Sequence, residues 1–273
     1  MNKKIGIILA LVIVSLVMLG TASAGFFDFL GGGDAQTNDN DTLVVGFDAE
    51  FPPYGYKDDS GNYTGFDLDL AKEVCERNNW TFRAQPIDWD AKDAELDSGS
   101  IDCIWNGFTI NGRENDYTWS NAYFDNKQII VVKADSGINS LADLENKTVE
   151  TQKDSSALAA LQGDNKTIAD TFATLTEVAD YNTAFMDLES GACDAVAMDI
   201  GVAEYDIKNK NNSDDFKILD EYITTEKYGI GFKKGNDALK DQVQATLDEM
   251  FKDGTVAKIA EKYGISQDAL IQP

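Results

Sequence analysis

Short, nearly unbroken apolar runs alternate in this chain with longer segments whose apolar residues return every three or four positions. From residue 42 the runs predict strands at 43–47, 81–85 and 101–105, and the segments between them predict helices at 66–78 and 91–98. Phe66, Leu70 and Val74 stand four apart and mark the buried stripe of the first helix. Apart from Asp102 the run 101–105 is apolar throughout, as a strand covered on both faces requires. This β-α-β-α-β succession implies an α/β protein built on an open, mostly parallel sheet. A second unit opens with Gln-Ile-Ile-Val-Val-Lys at 128–133. It continues with a helix at 141–144, strands at 148–151 and 195–198, and helices at 155–161, 183–190 and 201–208. A strand at 228–232 and amphipathic helices at 237–253 and 256–263 follow, and no fixed-period repeat occurs.

The first 41 residues read differently. Lys3 and Lys4 precede an apolar stretch, 5–20, interrupted only by Ser15, and Ala22-Ser23-Ala24 supplies small residues for cleavage. Residues 1–24 therefore have the pattern of an export signal. A membrane span needs ~20 apolar residues, and 5–24 is mostly apolar or small, so a retained N-terminal anchor stands as the alternative. No Cys follows the apolar run to serve as a lipid attachment site. A Gly triplet among Asp, Asn and Thr marks 25–41 as a flexible linker, within which Phe26, Phe27, Phe29 and Leu30 form an apolar patch suited to a membrane surface.

Composition narrows the function classes. Of 273 residues, 43% are hydrophobic and 10% aromatic, enough to bury real cores. The balance of 23 basic and 48 acidic residues leaves a charge of −25, which opposes nucleic-acid binding and is read as a solubility feature. With no His and no Cys-x-x-Cys pair, neither a zinc or haem site nor a Ser-His-Asp triad is expected, and no cofactor. Cys75, Cys103 and Cys193 are expected as buried thiols, with a Cys75–Cys103 bridge the alternative. Asn-x-Ser/Thr sequons stand at Asn40, Asn62, Asn79, Asn146, Asn165 and Asn211, several of them expected by chance.

Three segments carry candidate chemistry. VGFDAEFPPY at 45–54 is followed by GFDLDLA at 65–71. IDW at 87–89 is followed by SGSIDCIWNGFT at 98–109 and then Arg113. DAVAMD spans 194–199. A free amino acid needs a cation for its carboxylate, an anion for its ammonium and walls for its side chain. Arg113 offers a planar two-pronged donor, Asp199 a carboxylate at a strand's carboxyl end, and Phe51 and Trp89 two ring faces. Trp89 can also attract a cation.

In order and wording these segments resemble the family 3 extracellular solute-binding proteins, the polar amino-acid receptors of ABC importers, from about Thr42 to the C-terminus. The resemblance implies a type II periplasmic-binding-protein-like fold, with two lobes and a ligand cleft between them. One lobe would be 42–124 plus 227–273 and the other 125–226, with crossings near 123–127 and 224–227. It also assigns the ligand's amino and carboxylate ends to Gly107, Thr109, Gln152, Ser155 and Ser156, and the far end of its side chain to Asp48, Glu50 and Asn106. Two features depart from the family: the Gly107-to-Arg113 spacing is one residue shorter, and Asp154 replaces a usual Gly. Asp154 must therefore point away from a ligand carboxylate.

The implied partners are a free L-amino acid and a membrane permease, and the protein is expected to be an exported monomer without catalytic residues. Asp48 and Glu50 disfavour glutamate and aspartate, leaving cationic or glutamine-like ligands. A dehydratase acting on prephenate- or arogenate-like acids and an amino-acid sensor ectodomain are the competing readings.

Overall fold

Two five-stranded sheets, each backed by helices, organise the chain in the computed structural model, which describes residues 42–272. The expected export signal or anchor, the linker and the sequon at Asn40 lie outside these residues.

The first sheet runs Thr81–Pro86, Thr42–Phe47, Cys103–Ile104, Gly231–Phe232, Thr118–Trp119. The second runs Thr174–Val178, Thr148–Gln152, Ala195–Asp199, Phe124–Lys133, Phe216–Tyr228. In each, the first three strands pair in parallel and the last two antiparallel. The parallel part comes from the β-α-β units of the sequence pattern. The antiparallel part arises where the chain passes between sheets. Phe124–Lys133 enters the second sheet and Phe216–Tyr228 returns from it, paired from Phe216↔Lys133 to Phe124↔Tyr228.

Helix Phe66–Asn78 has the bounds its periodicity predicts, and Asn79 ends it in the left-handed conformation (φ 56°). Its buried side packs with Asp237–Lys252 and Thr255–Lys262 around Leu43, Val45, Phe47, Leu70 and Val74. Residues 141–144 form a 3-10 turn with a Ser140–Asp143 capping box instead of an α-helix. Several elements escaped the apolar pattern, Thr118–Trp119 among them. Thr174–Val178 and Phe216–Tyr228 are edge strands of the second sheet and alternate with polar residues. Glu50–Phe51, Gly55–Lys57 and Tyr63–Thr64 form a small separate sheet of strands too short to show a period. Cys75, Cys103 and Cys193 are buried free thiols. Among the described residues no helix is long and apolar enough to cross a membrane.

Candidate functional site

Parallel strands that share a direction bring the loops at their carboxyl ends to one edge, where open sheets bind ligands. Asp48 follows Thr42–Phe47, Gln152 closes Thr148–Gln152, and Asp199 closes Ala195–Asp199. Between these edges lies a cavity with about 290 Å³ of empty space, open solvent at its mouth included. Phe51, Trp89, Asn106, Gly107, Thr109, Arg113, Gln152, Ser155, Ser156 and Asp199 line it. The other two candidates, Asp48 and Glu50, do not.

Arg113 sits at the end of a turn whose N–H donates to the Ile110 carbonyl at 2.9 Å. Its guanidinium lies 5.4 Å from the Phe108 ring centre, in cation–π range. Nη2 donates to the Asp154 carbonyl at 2.9 Å and Nη1, weakly, to the Thr109 carbonyl at 3.4 Å. Opposing loops thus meet through this side chain. Among the described residues no carboxylate accepts from it, and its donors meet neutral carbonyl oxygens.

Gly107 has φ 54°, and a Cβ there would stand 2.7 Å from Phe51 Cε1. The left-handed backbone and the close ring both demand glycine. Its N–H donates to Asp67 Oδ2 at 2.5 Å, and the Tyr123 hydroxyl donates to Oδ1 at 2.8 Å. Asp67 is fully buried, and burial pushes its carboxyl up to about 7 against those donations. Trp89 meets Phe108 edge-to-face at 5.4 Å, and Phe51 tilts against Tyr54 and Tyr181 at 5.6 and 6.0 Å.

Asp48 is buried on the cavity's flank. Its Oδ2 accepts from Gln152 Nε2 at 2.5 Å, its Oδ1 from the Glu50 N–H at 2.8 Å, and its own N–H donates to Asn106 Oδ1 at 3.0 Å. Desolvation pushes its carboxyl up to about 6. Glu50 was expected beside it around the ligand's far end, but its side chain is exposed. The reason is strand alternation: in Glu50–Phe51 neighbouring side chains point to opposite faces, and Phe51 takes the inward one. Partial burial first, and Asp180 second, raise the Glu50 carboxyl.

Ser155 caps helix Ser156–Gln162, its hydroxyl accepting from the Leu158 N–H at 3.1 Å. The Ser156 hydroxyl accepts from Gln128 Nε2 at 2.8 Å. Asp154 adopts φ 52° where a glycine would be unstrained, and its carboxylate turns to Lys92. That lysine is 1% exposed and its ammonium lies 5.2 Å from the Trp89 ring centre. Asp154 therefore points to a cation of its own and its carbonyl, not its carboxylate, meets Arg113.

Asp199 precedes helix Ile200–Asn209 but makes no side-chain cap bond to it. Instead its Oδ1 accepts from Asn126 Nδ2 at 2.7 Å, Gln128 Nε2 at 2.8 Å and the Tyr228 hydroxyl at 2.5 Å. Glu226 Oε1 accepts from the same two amides, each at 2.8 Å. Cross-strand register explains the cluster: Asp199 stands opposite Gln128, and Asn126 opposite Glu226. Opposed residues share a face, as do Asn126 and Gln128 two apart. Burial first and Glu226 second push the Asp199 carboxyl up to about 8, against the donations from Tyr228 and Gln128.

Asp67, Lys92, Asn126, Gln128 and Glu226 were not assigned from sequence. Only one signal pointed to any of them: Asn126 and Gln128 are polar at buried positions of a strand whose charged Asp125 and Lys127 alternate with them on the exposed face.

The sequence model of the bacterial extracellular solute-binding proteins, family 3, matches residues 43–266. The chain is 29% identical to the L-cystine-binding protein TcyJ of Escherichia coli (strain K12), over 84% of each protein. Among solved structures it is similar to an ABC uptake transporter substrate-binding protein from Streptococcus pneumoniae with bound histidine. That match has a TM-score of 0.81 and 31% identity and covers 85% of this chain and 95% of the other. An ancestral arginine-binding protein bound to arginine matches at 39% identity and a TM-score of 0.75, over 82% of this chain and 98% of the other.

Proposed function

The chain belongs to the bacterial extracellular solute-binding proteins of family 3, and we propose that it captures a free L-amino acid for an ABC permease in the membrane. It is a binding protein and not an enzyme, as its named relatives are. One observation carries the reading of the site. A guanidinium whose donors meet only carbonyls and a buried carboxylate, Arg113 and Asp199, line one small cavity together with the rings of Phe51 and Trp89.

In this reading Arg113 takes the α-carboxylate, exchanging the Asp154 carbonyl for a charged acceptor, and Ser156 and Thr109 add donors. Asp199 takes the α-ammonium. Phe51 and Trp89 flank the side chain, while Gln152 and Asn106 bound its far end. The ligand is cationic or glutamine-like, because Asp48 sets negative charge behind Gln152, to which it is bonded, and Trp89 presents a ring face. Residues 42–124 with 227–273 move as one lobe and 125–226 as the other, hinged on the crossing strands. The protein acts as a monomer outside the cytoplasmic membrane, with 1–24 serving as export signal or anchor and 25–41 as a tether.

A thermal-shift panel of the twenty amino acids and cystine tests this. Stabilisation by arginine, lysine, histidine, glutamine or cystine above glutamate and aspartate is expected. No shift from any of them would refute the reading.

A further inference from the structure

The cluster behind the cavity is short of hydrogens. Asp199 and Glu226 are each 4% exposed, and the donations they share come from Asn126 Nδ2, Gln128 Nε2 and, for Asp199, the Tyr228 hydroxyl. All of these reach Asp199 Oδ1 or Glu226 Oε1, and none reaches Asp199 Oδ2. Asn126 Oδ1 and Gln128 Oε1 are also buried, without a hydrogen-bond partner among the described residues. Two carboxylates and two amide oxygens thus face three donor groups.

Among the described residues no cation forms an ion pair with Asp199 or Glu226, and helix Ile200–Asn209, which packs on Ala195–Asp199 and Phe124–Lys133, brings the acidic Glu204 towards Tyr54. The strand Phe124–Lys133 contributes Asn126 and Gln128, and Phe216–Tyr228 contributes Glu226 and Tyr228. The turn after Phe51 contributes Tyr54, and helix Tyr181–Ser190 contributes Tyr181, two buried phenols whose ionisation Asp199 opposes. Arg113 lines the same cavity, but its guanidinium donates to the Thr109 and Asp154 carbonyls and not to Asp199. Two like charges in contact within a buried site do not both ionise.

We propose that Asp199, sharing its donors with the buried Glu226, holds a proton until the ligand's α-ammonium displaces it to solvent. Glu226 is the positioning residue: it does not line the cavity but acts on Asp199 directly and through the two shared amides. The exchange balances. The O–H bond of the Asp199 carboxyl breaks, the proton passes to solvent, and an N–H of the ammonium takes its place on Asp199. The inference rests on the amino-acid reading of the site. Its consequence is that affinity falls with acidity, by about tenfold for each pH unit below the titration of Asp199.

The test is titration calorimetry of the wild-type protein with L-arginine, L-histidine, L-glutamine and L-cystine at pH 7, in buffers of different ionisation enthalpy. About one proton released per ligand bound is expected. Glu226→Gln, which removes the neighbouring charge but leaves Asp199 buried, should still bind, release fewer protons than wild type and show an affinity less dependent on pH between 6 and 8. Binding by wild type without proton release overturns the proposal while leaving the amino-acid reading intact. Undiminished release from Glu226→Gln overturns the role of Glu226. If none of the four ligands binds, the ligand reading fails and this inference with it. The wild-type measurement decides even if the variant does not fold.

Discussion

Replacing Arg113 with alanine should remove most of the ligand affinity and little of the stability. In the structure the guanidinium makes one good hydrogen bond, to the Asp154 carbonyl at 2.9 Å, one long one at 3.4 Å, and a contact with the Phe108 ring. A bound α-carboxylate would instead meet the fork with a full opposite charge. Truncating one partner of a buried, hydrogen-bonded charge pair costs about 2–5 kcal/mol. Arg113 is only half-buried, so solvent screens part of this and the lower half of the range applies. About 2–3.5 kcal/mol corresponds to a Kd raised roughly 30- to 300-fold.

Arg113→Lys separates charge from geometry. It keeps the positive charge but loses the two-pronged donor and the planar stacking on Phe108, so an intermediate loss is expected. Calorimetry gives Kd, and a melting curve without ligand shows whether the fold survived. A Kd for Arg113→Ala within threefold of wild type, in a protein that melts normally, would refute the carboxylate assignment and with it the pose.

Three further outcomes are expected. Lys92→Met removes the cation that meets Asp154 across the cleft; the ligand-free protein should open, giving a larger radius of gyration by small-angle scattering, and an unchanged radius would dismiss Lys92 as a latch. Gly107→Ala forces a left-handed alanine, at about 1–2 kcal/mol, and a Cβ 2.7 Å from the Phe51 ring; both melting temperature and affinity should fall, and wild-type binding would place the ligand away from Phe51. The folded-state carboxyls of Asp48, Asp67 and Asp199 are raised by burial to about 6, 7 and 8 from 3.8. The folded protein therefore binds more protons than the unfolded chain between about pH 4 and 8, so stability is greatest at the acid end and is lost as pH rises through that window. Calorimetric melting should give a higher Tm at pH 5 than at pH 8, and the reverse order would show that these carboxyls are not held protonated.

Elements whose signal is local were legible without the fold. Helix Phe66–Asn78 carries its stripe, and the strands Thr42–Phe47 and Ala195–Asp199 their apolar runs, within a few neighbouring residues. Of the lining residues, Phe51, Trp89, Arg113 and Asp199 came from the chemistry of ordered motifs and the others from the family resemblance those motifs carry; pattern alone yields the α/β class but does not bring Arg113 and Asp199 to one cavity. Edge strands such as Phe216–Tyr228 stayed hidden because one face is wet and its polar residues break the apolar run.

Only the tertiary structure decided which charges are buried and what they face. Glu50 turns outward because Phe51 beside it turns in, a choice set by what each face of a two-residue strand packs against. Lys92 begins a short helix and looks like a solvated surface residue until Asp154, 62 positions away, comes to rest on it. Glu226 joins Asp199 because three strands distant in sequence pair in one register, putting Asn126 and Gln128 between two carboxylates. Periodicity reflects a residue's own neighbours along the chain, whereas the protonation and direction of a buried carboxyl depend on partners that only long-range pairing brings within reach.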